Sequence, residues 1–356
     1  MAKVAPLFPI IEPTGLGSPS LSPLARAAAE APRHSAGCLT EYRPLTSRSI
    51  LTKTTSARGL PFTHSINPYR GCEFACRYCY ARYTHEFMEL RAPEDFERKI
   101  YFKHNAAWLL RQELARLKPG TEIALGTATD PYQPLERKQR ITRSLLEVFA
   151  AHRGFRLGIV TKSALIVRDV DLLQQIAAHN RLTVHVTVTT TNARLARILE
   201  PRAPRPDLRM KTVARLRQAG LRTGVMCSPL MPGITDSRAS IAAVARAAAA
   251  ADASFLAAGA LFLKPCSRPT FLDFLREHFP GQLAAYQRRY ADSAFVSAEY
   301  KKRVADLVDS ICREHKLGRR YSDQPETGTP ETGQPEIGGK PAAGSLVTIQ
   351  PWLPFQ

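Results

Sequence analysis

The sequence predicts an α/β protein built on a parallel sheet, and three observations carry that reading. Apolar, β-branched runs recur at 122–130 (EIALGTATD), 155–163 (FRLGIVTKS), 182–191 (LTVHVTVTTT), 221–233 (LRTGVMCSPLMPG) and 254–264 (SFLAAGALFLK). A stretch of helical period precedes each, at 96–117, 137–151, 167–178, 207–219 and 238–251. With a short strand near HSINPYR these make six βα-type units, spaced widely enough for crossover helices. Strands alternating with crossover helices give a parallel sheet, either doubly wound or an incomplete β/α barrel. In both, chemistry belongs at the C-terminal ends of the strands.

The elements follow in chain order. Residues 1–60 are rich in Pro, Ala, Ser and Arg and read as a partly disordered extension, in which SPLARAAAEAPR can hold a short helix. Residues 61–265 carry the six units. Residues 266–321 turn helical, in TFLDFLREHFPGQLAAYQRRYAD and SAEYKKRVADLVDSICREH, and form an accessory region. Residues 322–356 repeat Pro, Glu, Thr and Gly, a composition that cannot bury enough apolar surface to offset its ordering entropy, so the tail reads as disordered. It ends in LVTIQPWLPFQ, apolar where a solvated tail would be polar.

At 356 residues and 44% hydrophobic content the chain can bury a large core. No run of eighteen apolar residues occurs and the first twenty residues lack the order of a signal peptide, so the reading is cytoplasmic, with no membrane partner. Fifty Lys and Arg against 31 Asp and Glu give a formal charge of +19, a surface that concentrates polyanions, nucleic acid above all. An arginine-rich composition produces the same balance without such a partner. The basic segments at 136–143, 201–211 and 313–321 accordingly either line a nucleic-acid groove or are solvated helix faces.

Seven cysteines, odd in number and unevenly spaced, argue against a disulfide framework in a reducing compartment and for metal or redox chemistry. Cys72, Cys76 and Cys79 stand as C-x3-C-x2-C in the loop after the first strand. Zinc is one occupant, with His64 or His85 completing a tetrahedron, although structural zinc sites pair C-x2-C with a distant second pair. An iron–sulfur cluster is the other. Three thiolates on a four-iron cube leave one iron open to a small molecule, as a catalytic zinc keeps an unfilled position.

With Tyr78 just before the last cysteine, the motif resembles the signature of the radical S-adenosylmethionine superfamily. More narrowly, NPYRGCEFACRYCYARY (67–83), GTATDPYQPLERKQRITRSLLE (126–147) and LEPRAPRP (199–206) resemble the branch related to spore photoproduct lyase, described as DNA-repair photolyase-like. The resemblance covers about residues 61–265. It implies an incomplete (β/α)6 barrel, a [4Fe-4S] cluster on Cys72, Cys76 and Cys79, and S-adenosylmethionine on the fourth iron. It also implies a one-electron donor such as flavodoxin or ferredoxin, and a 5′-deoxyadenosyl radical that abstracts hydrogen from substrate. Lyase or repair chemistry on nucleic acid is the reading it suggests; radical chemistry on a protein or small metabolite, or a metal-stabilised nucleic-acid-binding protein without turnover, are the alternatives.

Residue by residue, the resemblance puts Tyr78 near the adenine. Thr127, Thr129 and Asp130 fall near the methionine ammonium, Lys162 and Ser163 near its carboxylate, and Thr189 and Thr191 near the ribose. Packing or strand-end capping is the alternative for each. Spore photoproduct lyases carry a hydrogen-returning cysteine in the second strand-end motif; alignment on Asp130 puts Thr127 there, so thymine-dimer reversal does not carry over. Cys227, ending the fifth strand, is the candidate hydrogen donor, or else a buried core cysteine; Cys266 is read with the same reserve, and Cys38 and Cys312 are peripheral. Finally, QPWLPF (350–355) resembles the peptide by which bacterial repair proteins dock on the sliding clamp, with Gln350, Leu353 and Phe355 as anchors.

Overall fold

A computed structural model describes residues 22–36, 40–54, 62–318 and 320. The tail at 322–356, with Gln350, Leu353 and Phe355, lies outside the described residues, as does Cys38.

The strands are β1 (Ser35–Ala36), β2 (Glu41–Pro44), β3 (Leu51–Lys53), β4 (His64–Ile66), β5 (Tyr69–Arg70), β6 (Lys99–Phe102), β7 (Glu122–Leu125), β8 (Arg156–Thr161), β9 (Arg181–Thr187), β10 (Thr223–Leu230) and β11 (Leu256–Ala260). The helices are α1 (Pro23–Glu30), α2 (Tyr83–Glu86), α3 (Asp95–Arg98), α4 (Ala106–Leu114), α5 (Glu136–Gln139), α6 (Ile141–Ala150), α7 (Val170–His179), α8 (Ala193–Leu199), α9 (Pro206–Gln218), α10 (Arg238–Ala250), α11 (Arg268–His278), α12 (Pro280–Arg289) and α13 (Ala298–Glu314). None of them is long and apolar enough to cross a membrane.

The main sheet runs β11-β10-β9-β8-β7-β4-β3; its neighbours from β4 to β11 pair in parallel, and β3 joins β4 antiparallel. This order follows the chain without a reversal, which excludes the doubly wound alternative. Right-handed crossovers in a sheet of monotonic order put the connecting helices on one face. The other face is left for the site. The apolar runs expected as strands form β7 to β11, each covering only part of its run because the polar strand ends turn into loops.

One expected helix is not there. The stretch 96–117 divides into α3, strand β6 and α4. Lys-Ile-Tyr-Phe at 99–102 carries a β-branched and two aromatic residues, and β6 pairs with both β2 and β5 in a second sheet, β1-β2-β6-β5. Two-sided pairing of a fully buried Ile100 outweighs helical period. Part of the N-terminal extension is likewise built in: Ser22 caps α1 by accepting from the Ala25 amide at 3.1 Å, β2 joins the second sheet, and β3 edges the main one.

The two ends of the main sheet meet through side chains. Phe62, just before β4, packs with Ala124 of β7 and Phe262 beyond β11, with Tyr80 and Phe295 against them. The rings of Tyr80 and Phe262 are 4.9 Å apart, and the Cys266 thiol donates to the Tyr80 carbonyl at 3.7 Å. Residues some two hundred positions apart thus share one seam.

Candidate active site at the strand ends

The cysteine loop is held from three sides. Gly71 has φ +78°, and a Cβ there would come within 2.7 Å of the Phe96 carbonyl oxygen, so glycine alone fits. Ala75 also sits in the left-handed region, which turns the chain between Cys72 and Cys76. From the loop after β7, the Gln133 side chain accepts from the Glu73 amide at 3.0 Å and donates to the Gly71 carbonyl at 3.1 Å. The Glu73 carboxylate answers by accepting from the Leu135 amide at 2.8 Å and from Tyr42 at 2.8 Å. Arg82, paired with Glu97 at 2.6 Å, donates to the Cys76 carbonyl at 3.4 Å, and the Arg77 amide bonds the end of α8 at 2.9 Å.

This clamp presents Cys72, Cys76 and Cys79 to one cavity of about 1000 Å³, counted to its open mouth. Its wall continues through Tyr78 and Tyr80, the loop Gly126–Thr127–Ala128–Thr129–Asp130, then Lys162, Thr187, Met226, Ser228, Gly259 and Phe262. Gly126 has φ +88° and no room for a Cβ, with Pro131 Cδ at 2.5 Å. The loops that follow β5, β7, β8 and β11 and the C-terminal ends of strands β9 and β10 therefore all reach the cavity.

Burial raises all three thiols, Cys76 up to about 12. A positively charged occupant of the cavity would favour their thiolate forms. Among the described residues no three His, Cys, Asp or Glu side chains are grouped tightly enough to hold a single metal ion. The thiols surround a space and do not converge on a point. His64 and His85 are not on the cavity wall: His64 lies on β4 beside Thr63, and the His85 ring bonds the Lys99 carbonyl at 2.9 Å. A mononuclear Cys3His site is thus not assembled, whereas three inward thiols around a cavity fit a larger cluster with one metal left open.

The remaining sequence candidates divide. Asp130 is on the wall, but its carboxylate already accepts from Thr161 Oγ1 at 2.7 Å and from the amides of Lys162 and Tyr132 at 2.7 and 2.9 Å. It ties the ends of β7 and β8 together. Thr129 Oγ1 donates to the Tyr69 carbonyl at 3.3 Å, and Thr127 Oγ1 accepts from Asn67 at 3.1 Å. Lys162 extends over the Tyr78 ring, Nζ lying 5.7 Å from its centroid. Burial works against its charge, but Cys76 and Glu200 outweigh it and raise the ammonium above the usual lysine range.

Ser163, Thr189 and Thr191 are not on the wall. Ser163 caps the following 3-10 turn by accepting from the Leu165 amide, Thr189 bonds Glu200 at 3.4 Å, and Thr191 is exposed. Thr187, where β9 ends, takes the wall position. Cys227 lies between Met226 and Ser228, which both line the cavity, so the alternation of β10 turns it to the helix side. There it is fully buried, its Sγ 3.9 Å from the Thr189 carbonyl and close enough to feel Cys312 of α13. The basic segments 136–143 and 201–211 also supply no wall residue: Arg143 pairs with Asp169 at 2.7 Å and Arg209 with Glu200 at 2.5 Å.

That last pair is the part sequence reasoning missed. Glu200 and Arg209 are both about 1% exposed, and the Glu200 carboxylate also accepts from the Tyr78 hydroxyl. Arg209 donates further to the Pro204 and Thr187 carbonyls at 2.7 and 3.1 Å. A buried ion pair thus fixes the ring beside the last cysteine. The one signal in the sequence was LEPRAPRP itself, whose second residue is the pair's carboxylate and which ends three residues before Arg209.

The description Radical SAM superfamily belongs to a family whose profile matches residues 66–244, half of the chain. An uncharacterized protein of Mycobacterium tuberculosis is 33% identical over 282 residues, covering 79% of this chain and 83% of its own. An uncharacterized protein of Methanocaldococcus jannaschii is 28% identical over 171 residues, 48% of this chain and 61% of its own. Among solved structures, a doubly substituted spore photoproduct lyase with bound AdoMet and dinucleoside spore photoproduct superposes with a TM-score of 0.55 over 84% of this chain and 83% of that one. At 14% identity that likeness is one of fold.

Proposed function

This chain belongs to the radical SAM superfamily, a superfamily of enzymes, and on that premise we propose that Cys72, Cys76 and Cys79 hold a [4Fe-4S] cluster and that the cavity beside them takes S-adenosylmethionine. The observation that carries the reading is that three thiols, Cys72 and Cys76 buried and Cys79 half-buried, face one cavity at the strand ends, with no further Cys and no His on its wall among the described residues. The monotonic strand order and the seam between the sheet's ends support an incomplete (β/α)6 barrel around that cavity.

When bound, cluster and cofactor supply one-electron cleavage of the sulfonium carbon–sulfur bond, giving methionine and a 5′-deoxyadenosyl radical; the electron comes from a reduced carrier such as flavodoxin or ferredoxin. The protein's own residues do the positioning. Gln133, Glu73 and Arg82 hold the cysteine loop in place. Lys162 offers a compact positive charge for a carboxylate. Tyr78, pinned by Glu200, and Phe262 offer flat faces for a purine. Met226 and Leu261 keep the wall apolar, so that water is excluded from a reactive carbon.

The substrate reading favoured by the +19 charge is nucleic acid. Thr127 stands where spore photoproduct lyases carry a thiol, and its O–H bond is a poor source of a hydrogen atom, so the reaction differs in how its product radical is quenched. Anaerobic reconstitution, reduction and addition of S-adenosylmethionine test the core of the proposal. Formation of 5′-deoxyadenosine by the wild type, and none by a Cys72/Cys76/Cys79→Ala triple variant, supports it. A fully reconstituted cluster that never cleaves the cofactor refutes it.

A further inference from the structure

We propose that the seam where the two ends of the main sheet meet is a track for single-stranded nucleic acid, with bases stacked on its rings and phosphates beside its lysines. This deepens the nucleic-acid reading above and rests on it only for what happens inside the cavity. The seam is a row of rings interleaved with cations. Phe87, 52% exposed, meets Tyr83 edge-on with centroids 5.7 Å apart. Lys264, arriving from beyond β11, sets Nζ 4.0 Å from the Tyr83 ring centroid. Arg70 of β5, at the edge of the second sheet, lies close enough to interact with Tyr83. The row continues with Tyr80, Phe262 and Phe295, the last two stacked at 5.7 Å, and closes with Lys301 5.1 Å from the Phe295 ring. Tyr80 and Phe262 are also wall residues of the cavity, so the row leads from the surface to the site.

Packing alone accounts for Phe262 and Tyr80, which join the sheet's ends. It does not account for Phe87, whose ring stays half in water. Among the described residues only Phe87, Trp108 and Leu208 are large exposed apolar side chains, and Trp108 and Leu208 lie on α4 and α9, so no broad apolar face suited to a lipid surface exists here. Rings with cations at 4 to 5 Å suit a polymer that alternates flat bases with phosphates, since every base has a face to stack and every link a charge. Glu86, on α2 between Tyr83 and Phe87, is an acid that reaches this region, on the side of Cys266.

Fluorescence anisotropy of the reconstituted protein with labelled twelve-nucleotide DNA and RNA single strands, and with a duplex of the same sequence, tests the track. Single strands should bind more tightly than duplex, and the DNA and RNA arms decide which of the two it takes. Phe87→Ala should weaken binding about five- to a hundredfold. Lys264→Gln and Lys301→Gln should each reduce the slope of log affinity against log salt by about 0.7. Trp108→Ala, equally exposed but off the seam, should bind as wild type. The proposal is overturned if no oligonucleotide binds at low salt, if duplex is preferred, or if all three seam variants keep wild-type affinity and slope. Cofactor cleavage by the wild type without oligonucleotide, measured alongside, reports the function above independently of the track.

Discussion

Replacing Glu200 by Gln removes one charge from a pair that water does not reach. Arg209 is left with its backbone acceptors at Pro204 and Thr187, so it keeps hydrogen bonds but loses its counter-charge. Removing one partner of a buried pair costs roughly 3 to 5 kcal/mol. The two retained bonds, and the shape kept by Gln, place Glu200→Gln at the lower end, about 3 kcal/mol. The double variant with Arg209→Met should recover most of that loss, because no orphaned charge remains. Urea unfolding of the metal-free protein, followed by circular dichroism and tryptophan fluorescence, measures both, and coincident transitions establish that the comparison is valid. Burial raises the Glu200 carboxyl, but Arg209 and Lys162 outweigh it, so the folded value lies below the usual one. A depressed carboxylate contributes stability above its unfolded pKa and loses it as the pH falls, so the deficit of the Gln variant should shrink below about pH 4.3. A loss under about 1 kcal/mol, or single losses that merely add in the double variant, refutes the assignment of the pair as the anchor of Tyr78.

Gln133→Ala removes two hydrogen bonds from the cysteine loop without touching the cavity wall. It should hold less iron after reconstitution and desalting than wild type, and equal retention would show that Glu73 and Arg82 suffice. Cys227→Ala should leave 5′-deoxyadenosine formation within about twofold of wild type while lowering stability by about 1 kcal/mol, since it deletes a buried sulfur on the helix side. Lys103 is 8% exposed and burial, with Arg70 nearby, lowers its pKa to about 7. A lowered lysine penalises the fold below its unfolded pKa, fully so below pH 7. Lys103→Met should therefore be more stable than wild type at pH 6.5, and the gap should narrow as pH rises toward 10; a constant gap would sink that account.

Local chemistry made the cysteine loop and the strands readable. Three thiols at fixed spacing and five β-branched runs are signals that neighbouring residues carry by themselves. Lys-Ile-Tyr-Phe at 99–102 read as helix because its pairing partners, β2 and β5, lie far off in the chain and one of them sits in a segment of helix-like and loop-like composition. At the strand ends the residue types were right and the reach was wrong. β9 stops at Thr187, so Thr189 falls behind the wall, within reach of Glu200, and Thr191 beyond it. The segment LEPRAPRP was recognisable as a motif but not as an ion pair, since nine positions separate Glu200 from Arg209 and nothing local says that both are dry.

The seam also has a kinetic side. Each βα unit closes a loop of some thirty residues, whereas joining Phe62 to Phe262 closes two hundred. Loop-closure entropy grows only logarithmically, so the longer closure costs about 1.7 kcal/mol more than a single unit. It gains only a few rings in return, with no strand pairing between β11 and the opposite edge among the described residues. Such a contact forms last and opens first, and it does so at the lip of the cavity. Amide exchange should therefore be faster across the segments that bear Phe62 and Phe262 than in β8 and β9. The protein can breathe at its entrance while its central strands stay locked.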